Sequence, residues 1–322
     1  MILAGIDEAG YGPLLGPLVV GCCAFQIERR DDGDMPCLWN RLGRAVSKRK
    51  SAGGRKLHIN DSKAVYSPAS GLKELERSVL AMAAAAHGKC GDLDSLVAKA
   101  AAECAAEVSG YPWYQSFGGE SFPITQSGDA VGVSANALGV EMKRAGVACA
   151  FISAQVVCEK RLNAMMNAMR NKGSALFSIT AIHLDQLLRR FGEQELTIVC
   201  DRQGGRLRYG ALLRMMFEEW ALEVEREEPE QSEYALKKNG HIVRLRFWEK
   251  AEAQCLPVAA ASMVSKYFRE ALMGRFNAYW RRLAPGAKAT AGYYTDGLRF
   301  LRDIEPHRRQ LGIADGMLIR CR

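Results

Sequence analysis

Apolar positions alternate between short runs of strand type and longer helical stretches. Met1 to Ile6 and Leu18 to Phe25 are rich in apolar and β-branched residues, and a glycine- and proline-bearing loop joins them, which predicts two strands. Gly146 to Val157 predicts a third strand and Leu196 to Cys200 a short one of the fully buried kind. Tyr234 to Leu236 and Ile242 to Trp248 flank Lys237-Lys238-Asn239-Gly240, where Asn-Gly supplies the positive φ of a tight hairpin turn. Helical spacing marks Leu72 to His87, Asp92 to Val108, Arg161 to Met169, Gly210 to Glu223 and Ala259 to Phe276. Strands come first and then mix with helices, so the class expected is α/β, a mixed sheet with helices on its faces.

Composition narrows this only slightly. The 322 residues are 48% apolar and 25% charged, which suits a globular chain with one enlarged domain or a main domain and a smaller one. The net charge of +8 favours a polyanionic partner. The ten cysteines contain no C-x-x-C pair, and Cys22, Cys23 and Cys200 lie in strand-like apolar runs, as free thiols do in a reducing compartment. Asp7 and Glu8 interrupt the first apolar run, and no uncharged apolar stretch reaches the ~20 residues that would span a bilayer, so neither a signal peptide nor a membrane span is expected. The expected location is the cytoplasm.

The chemistry concentrates where the first strand meets its loop, Gly5-Ile6-Asp7-Glu8-Ala9-Gly10-Tyr11-Gly12-Pro13. Two adjacent carboxylates at a buried strand end are costly unless a cation is held there, and hard divalent ions prefer such oxygens. Asp201 follows the buried strand Leu196 to Cys200 and places a third carboxylate at a strand terminus. The basic run Arg44, Lys48, Arg49, Lys50, Arg55 and Lys56 suits a solvated loop or phosphate contact. The aromatic stretch Tyr111-Pro112-Trp113-Tyr114 and Phe117 suits a small satellite core or base stacking.

Five segments, in order, resemble type 2 ribonuclease H (ribonuclease HII). They are Asp7-Glu8-Ala9-Gly10-x-Gly12-Pro13-x-x-Gly16-Pro17, Asn60-Asp61-Ser62-Lys63, Asp201 after its strand, Ala260-Ala261-Ser262-Met263-Val264-Ser265-Lys266, and Gly292-Tyr293-x-Thr295 followed by His307-Arg308. The resemblance implies a ribonuclease H-like fold with a five-stranded mixed sheet and a helical C-terminal extension. It implies a catalytic domain over residues 1–275, an insertion over about 89–142, and the extension over 276–322. It also implies a two-metal endonuclease using Mg2+ or Mn2+. Such an enzyme hydrolyses the RNA strand of RNA-DNA hybrids, or ribonucleotides embedded in a DNA duplex, and needs no obligate protein partner. Asp7, Glu8, Asp201 and Glu252 are then the catalytic and metal-binding carboxylates, with Glu249 as second choice to Glu252. Gly10, Tyr11, Gly12, Lys63, Lys266 and Tyr293 are the substrate contacts.

Three positions depart from that pattern: Glu252 where the family has Asp, Tyr11 where it usually has a basic residue, and Arg202 where it often has Gly. Glu still ligates, with a longer and more flexible reach, whereas Tyr cannot neutralise a phosphate. The alternative is therefore a nucleic-acid-binding protein on the same fold whose catalysis is weakened or lost.

Overall fold

The computed structural model describes residues 1–29 and 35–321. Nine strands are present among them: β1 Ile2–Ala9, β2 Leu18–Ile27, β3 Val46–Ser47, β4 Leu57–His58, β5 Val147–Val157, β6 Leu196–Asp201, β7 Ala221–Glu227, β8 Gln231–Lys238 and β9 His241–Trp248. The two-residue strands β3 and β4 pair in parallel, and the other seven form one sheet in the order β5-β2-β1-β6-β9-β8-β7. The class is the mixed α/β arrangement expected, but the sheet has seven strands where five were implied.

The centre of the sheet is parallel: β1 pairs with β6, and β6 with β9. Antiparallel β2 and β5 extend it on one side, and β8 and β7 on the other. Strands β1 and β6 are buried on both faces, which explains why Leu196 to Cys200 carries no charge and is apolar at every position but Thr197. Along β1, Ile2, Ala4 and Ile6 enter the core on one face, beneath the helix Lys172–Phe191. Leu3 enters the core on the other, which is covered by the helix Leu256–Leu283.

That second helix lies against bare backbone. A Cβ on Gly5 would stand 2.1 Å from the Val258 nitrogen, and one on Gly21 would stand 2.4 Å from the Ala261 oxygen. Only glycine at both positions allows the helix so close to β1 and β2.

Several sequence-based boundaries move. The stretch Gly210 to Glu223 is a short helix Gly210–Met216, a turn and then the edge strand β7, although Leu212, Leu213, Met216 and Trp220 keep helical spacing. The long helix starts at Leu256, with Pro257 in its first turn, and runs through residue 276 to Leu283, with Phe276 and Trp280 fully buried. The division expected between 275 and 276 therefore falls inside one continuous helix. The segment 89–142 folds as helices, chiefly Leu93–Ala100 and Gly128–Ala145. Its aromatics join the main core rather than a satellite one: Trp113 is fully buried, with ring centroids 6.1 Å from both Phe276 and Trp280.

The fully buried Glu76 fastens the same segment. Its carboxylate accepts bonds from the Ile124, Thr125 and Gln126 amides at 2.6, 2.7 and 2.9 Å and from the hydroxyls of Thr125 and Tyr267. The ten cysteines are free thiols. No helix among the described residues is long and apolar enough to cross a membrane.

Candidate metal and nucleic-acid site

The carboxyl ends of parallel β1 and β6 create the site. The register pairs Gly5 with Val199 and Ile6 with Cys200, so Asp7 and Asp201 are the next residues on adjacent strands. Both continue the positions that face the long helix, and strand spacing alone puts their backbones about 4.8 Å apart. Strand β1 continues through Ala9, so the chain turns at Gly10 rather than directly after Glu8. Glu8 consequently leaves the strand on the opposite face from Asp7. It still feels Asp201 and Glu252, because all three lie at the rim where the strands end.

Glu252 arrives from a different direction. Strand β9, the other neighbour of β6, ends at Trp248, and the chain reverses through Lys250, held in the left-handed conformation, into a single turn Ala251–Ala253. The Ala251 amide donates to Asp201 Oδ1 at 3.0 Å, which ties that turn to the β6 terminus. Glu252 then hydrogen-bonds Asp201 and feels the charge of Asp61. Glu249 is spent elsewhere, in an ion pair with Arg202 at 2.9 Å. Arg202, the departure beside Asp201, thus draws Glu249 away from the carboxylates and towards the surface.

The electrostatics of the four acids are those of like charges confined together. Burial, and then the neighbouring Glu8 and Asp201, push the Asp7 carboxyl well above its ordinary range. Burial and Asp201 raise Glu8 to about 7, against the opposing pull of Lys63. Glu252 also rises to about 7, from burial and then Asp201. Burial lifts Asp201 too, while its bond from the Ala251 amide holds it down.

Asp7 is oriented by a chain of hydroxyls. Ser262 donates to it from the long helix, and the Ser62 hydroxyl lies within hydrogen-bond distance of Ser262 Oγ at 3.1 Å. Ser62 and Lys63 begin a short helix capped by Asp61, whose Oδ1 accepts from the Lys63 amide. The second and fourth motifs thus meet over Asp7 and bring Lys63 beside Glu8 and Asp201.

Among the described residues, no three His, Cys, Asp or Glu side chains already form a group that could hold a metal ion. The fit to a hard divalent cation rests instead on donor chemistry. Four carboxylates from three chain segments destabilise one another as anions, and Glu252 Oε2 is buried without a hydrogen-bond partner. A cation would remove both costs.

The glycine loop lies beside these acids. Gly10 has φ +87°, and a Cβ on Gly12 would meet nothing within 4 Å, so the backbone there is open to a ligand. Tyr11 carries the ammonium of Lys172 4.7 Å from its ring centroid, and Arg206 also acts on its hydroxyl. Positive charge therefore stands beside residue 11 although residue 11 itself is neutral. The Gly292 carbonyl accepts from the Leu14 and Leu15 amides at 2.7 and 3.1 Å, which brings Tyr293, 55% exposed, alongside the loop.

Lys266 is not aimed at the carboxylates. It pairs with Glu270 at 2.7 Å and lies over the Tyr66 ring. Of the basic run, Lys48 donates to the Ala253 carbonyl at 2.8 Å, next to Glu252. Sequence reasoning missed Arg269, Glu159 and Arg320, buried charges behind the loop, because nothing in their local sequence distinguishes them from surface residues.

No protein-family profile matches the chain. Ribonuclease HII of Methanocaldococcus jannaschii is 46% identical over 60 residues, a segment that is 19% of this chain and 25% of that protein. The chain therefore matches about a quarter of that relative's length. Among solved structures it is similar to the PCNA:RNase HII complex from Archaeoglobus fulgidus (17% identity, TM-score 0.46, covering 100% of this chain and 95% of that one). It is also similar to Bst-RNase HIII in complex with Mn2+ (13% identity, TM-score 0.49, covering 99% and 66%). Both scores lie below 0.5, and the fold class rests on the sheet described above.

Proposed function

We propose that this chain, a divergent member of the ribonuclease HII family, is a divalent-metal-dependent endonuclease that cleaves the RNA strand of RNA-DNA hybrids or a ribonucleotide embedded in DNA. The observation that carries the reading is the convergence of Asp7, Glu8, Asp201 and Glu252 at adjacent strand ends, with all four carboxyl groups raised by burial and those of Asp7, Glu8 and Glu252 raised further by neighbouring carboxylates. In this reading the four acids hold Mg2+ or Mn2+, which would supply an activated water and charge stabilisation at the leaving oxygen.

The chain's own residues do the rest. Ser262 and the Glu8 amide, which donates to Asp7 Oδ1 at 2.7 Å, fix the Asp7 carboxylate. Lys63 offsets the negative charge beside Glu8 and is placed to meet a phosphate. The open backbone at Gly10 to Gly12 approaches the sugar, where a 2'-hydroxyl distinguishes RNA from DNA. Tyr293 offers an exposed ring for the sugar on the DNA side. Lys266, engaged with Glu270, acts by holding the surface around Tyr66 rather than by touching phosphate.

A nucleic-acid-binding protein with lost catalysis is the second reading, favoured by the Glu252 side chain where the resemblance to ribonuclease HII implies an Asp. One assay separates the two: Mg2+- or Mn2+-dependent cleavage of a duplex carrying one ribonucleotide, beside all-DNA and all-RNA duplexes. Cuts at the ribonucleotide support the nuclease; tight binding with no cut in either metal supports the binding protein.

A further inference from the structure

The glycine loop is held from behind by charges that no motif contains. Arg320, three residues from the end of the sequence, is 3% exposed. Its Nη1 donates to the Gly10 carbonyl at 2.6 Å and to the Gly16 carbonyl at 3.4 Å, and its Nη2 donates to the Tyr11 carbonyl at 3.2 Å. Its own amide donates to Leu14 O at 2.9 Å. One guanidinium thus spans both ends of the turn. Glu159, fully buried, accepts from the Gly16 amide at 3.1 Å and from the Tyr114 hydroxyl at 2.8 Å. Arg269 closes the third side, with its Cδ and Nε 2.6 Å from where a Cβ on Gly10 would stand.

Burying a guanidinium is costly, and this one has no direct ion pair among the described residues; its acceptors are backbone carbonyls. The Gly10 and Tyr11 carbonyls belong to the peptide units whose N–H groups are those of Tyr11 and Gly12, whereas the Gly16 carbonyl precedes Pro17, which has no N–H. Charge on a carbonyl oxygen polarises its peptide and strengthens the attached N–H as a donor. Gly12 is also where the loop is bare on its outer side. The cation is on the inside and the strengthened donors belong to the open segment.

We propose that Arg320 is a positioning residue for the nuclease: it fixes the Gly10–Gly16 turn and polarises the Tyr11 and Gly12 amides towards the ribose and phosphate at the cleavage junction. It supplies through the backbone the positive character that the Tyr11 side chain lacks. The inference rests on the endonuclease reading.

The test uses the full chain with Arg320→Lys and Arg320→Ala. Wild type is assayed first with saturating Mg2+ on a duplex bearing one ribonucleotide; if wild type does not cut, the endonuclease reading fails before this one is reached. With active wild type, Arg320→Ala is expected to lose about 100-fold in kcat, the scale of a misplacement near 1 Å, with KM within about twofold because phosphate contacts elsewhere carry binding. Millimolar methylguanidinium should restore part of the loss. Arg320→Lys keeps the charge but not the fork, and should lose about tenfold. In an Asp7→Asn background, the binding preference for the ribonucleotide duplex over all-DNA should shrink with either substitution. Arg320→Lys with wild-type kcat and wild-type preference overturns the proposal, and so does a lower melting temperature with kcat unchanged at a temperature where the variant is folded. Should the alanine variant not fold, the lysine variant decides alone.

Discussion

Removing divalent metal should make this protein less stable as pH rises, the reverse of the usual acid denaturation. The groups concerned are Asp7, Glu8, Asp201 and Glu252, all raised above their ordinary range. A carboxyl whose folded pKa is raised favours folding when protonated, so its contribution is complete below the unfolded value and is lost as pH climbs through the folded one. For Glu8 the interval runs from 4.5 to about 7. At about 1.36 kcal/mol per pH unit, that interval corresponds to roughly 3 kcal/mol, of which about 2.5 falls between pH 5 and 8. The four acids share the same repulsion, so their shifts are not summed; the expected total is about 2–3 kcal/mol. Unfolding 322 residues carries about 0.7 kcal/mol per degree, so the midpoint should drop roughly 3–5 °C. The measurement is calorimetry in EDTA at pH 5, 6, 7 and 8, repeated with Mg2+ or Mn2+. Metal should raise the midpoint, and by more at pH 8 than at pH 5, because binding there displaces fewer protons. Three other buried groups also titrate: Glu159, raised to about 7, acts in the same direction, and His58 and His183, lowered by burial, act in the opposite one. Glu8→Gln leaves all three in place and isolates the site. A metal-free midpoint that stays level or rises from pH 5 to 8, or an equal fall in Glu8→Gln, would refute the account of four carboxylates held against their own charge.

Three further outcomes follow from the geometry. Asp7→Asn should abolish cleavage while circular dichroism and hybrid binding stay near wild type; unchanged turnover would move the activity elsewhere. Glu252→Gln should be far slower at low Mg2+, whereas Glu252→Asp should be neutral or up to ~10-fold slower, about 1.4 kcal/mol on the barrier; full activity of the Gln variant would remove Glu252 from the ligand set. Glu76→Ala strands five donors and should cost about 4 kcal/mol in urea unfolding, since each bond to a buried charge contributes roughly 1.5–3 kcal/mol and water recovers some of the loss; a cost below about 1 kcal/mol would mean the segment 89–142 is not fastened there.

The readable parts of this chain are those whose information is local. Strands β1, β2 and β5 were legible because continuous apolar runs end in glycine or polar residues, and the hairpin of β8 and β9 because Asn239 and Gly240 both adopt positive φ. The convergence of Asp7 with Asp201 was legible because both end buried strands. That Glu249 pairs with Arg202, while Glu252 bonds Asp201, was a long-range matter, since these partners lie on another segment. The helix Lys172–Phe191 went unread although its buried face is regular, for polar Ser178, Thr180 and His183 interrupt the apolar spacing; His183 is buried because it bonds the Val20 carbonyl at 2.9 Å. Edge strand β7 is almost wholly exposed, so no burial pattern marks it as a strand. Glu76, Glu159 and Arg320 look in sequence like any surface charge, and only their partners, at least 45 positions away in the chain, give them their roles.

The bare-backbone contact at Gly5 and Gly21 bears on how such a site can change over time. Where side chains separate two elements, a drift in their size slides the elements apart by fractions of an ångström and everything mounted on them moves. Between β1, β2 and the long helix there is no such spacer two residues from Asp7: main chain touches main chain. The separation between Asp7 on the strand and Ser262 on the helix is therefore set by the thickness of the polypeptide itself. Substitutions elsewhere in the core can accumulate without moving that origin, and the surrounding segments, among them residues 89–142 and the turn that carries Glu252, are free to vary around a fixed point.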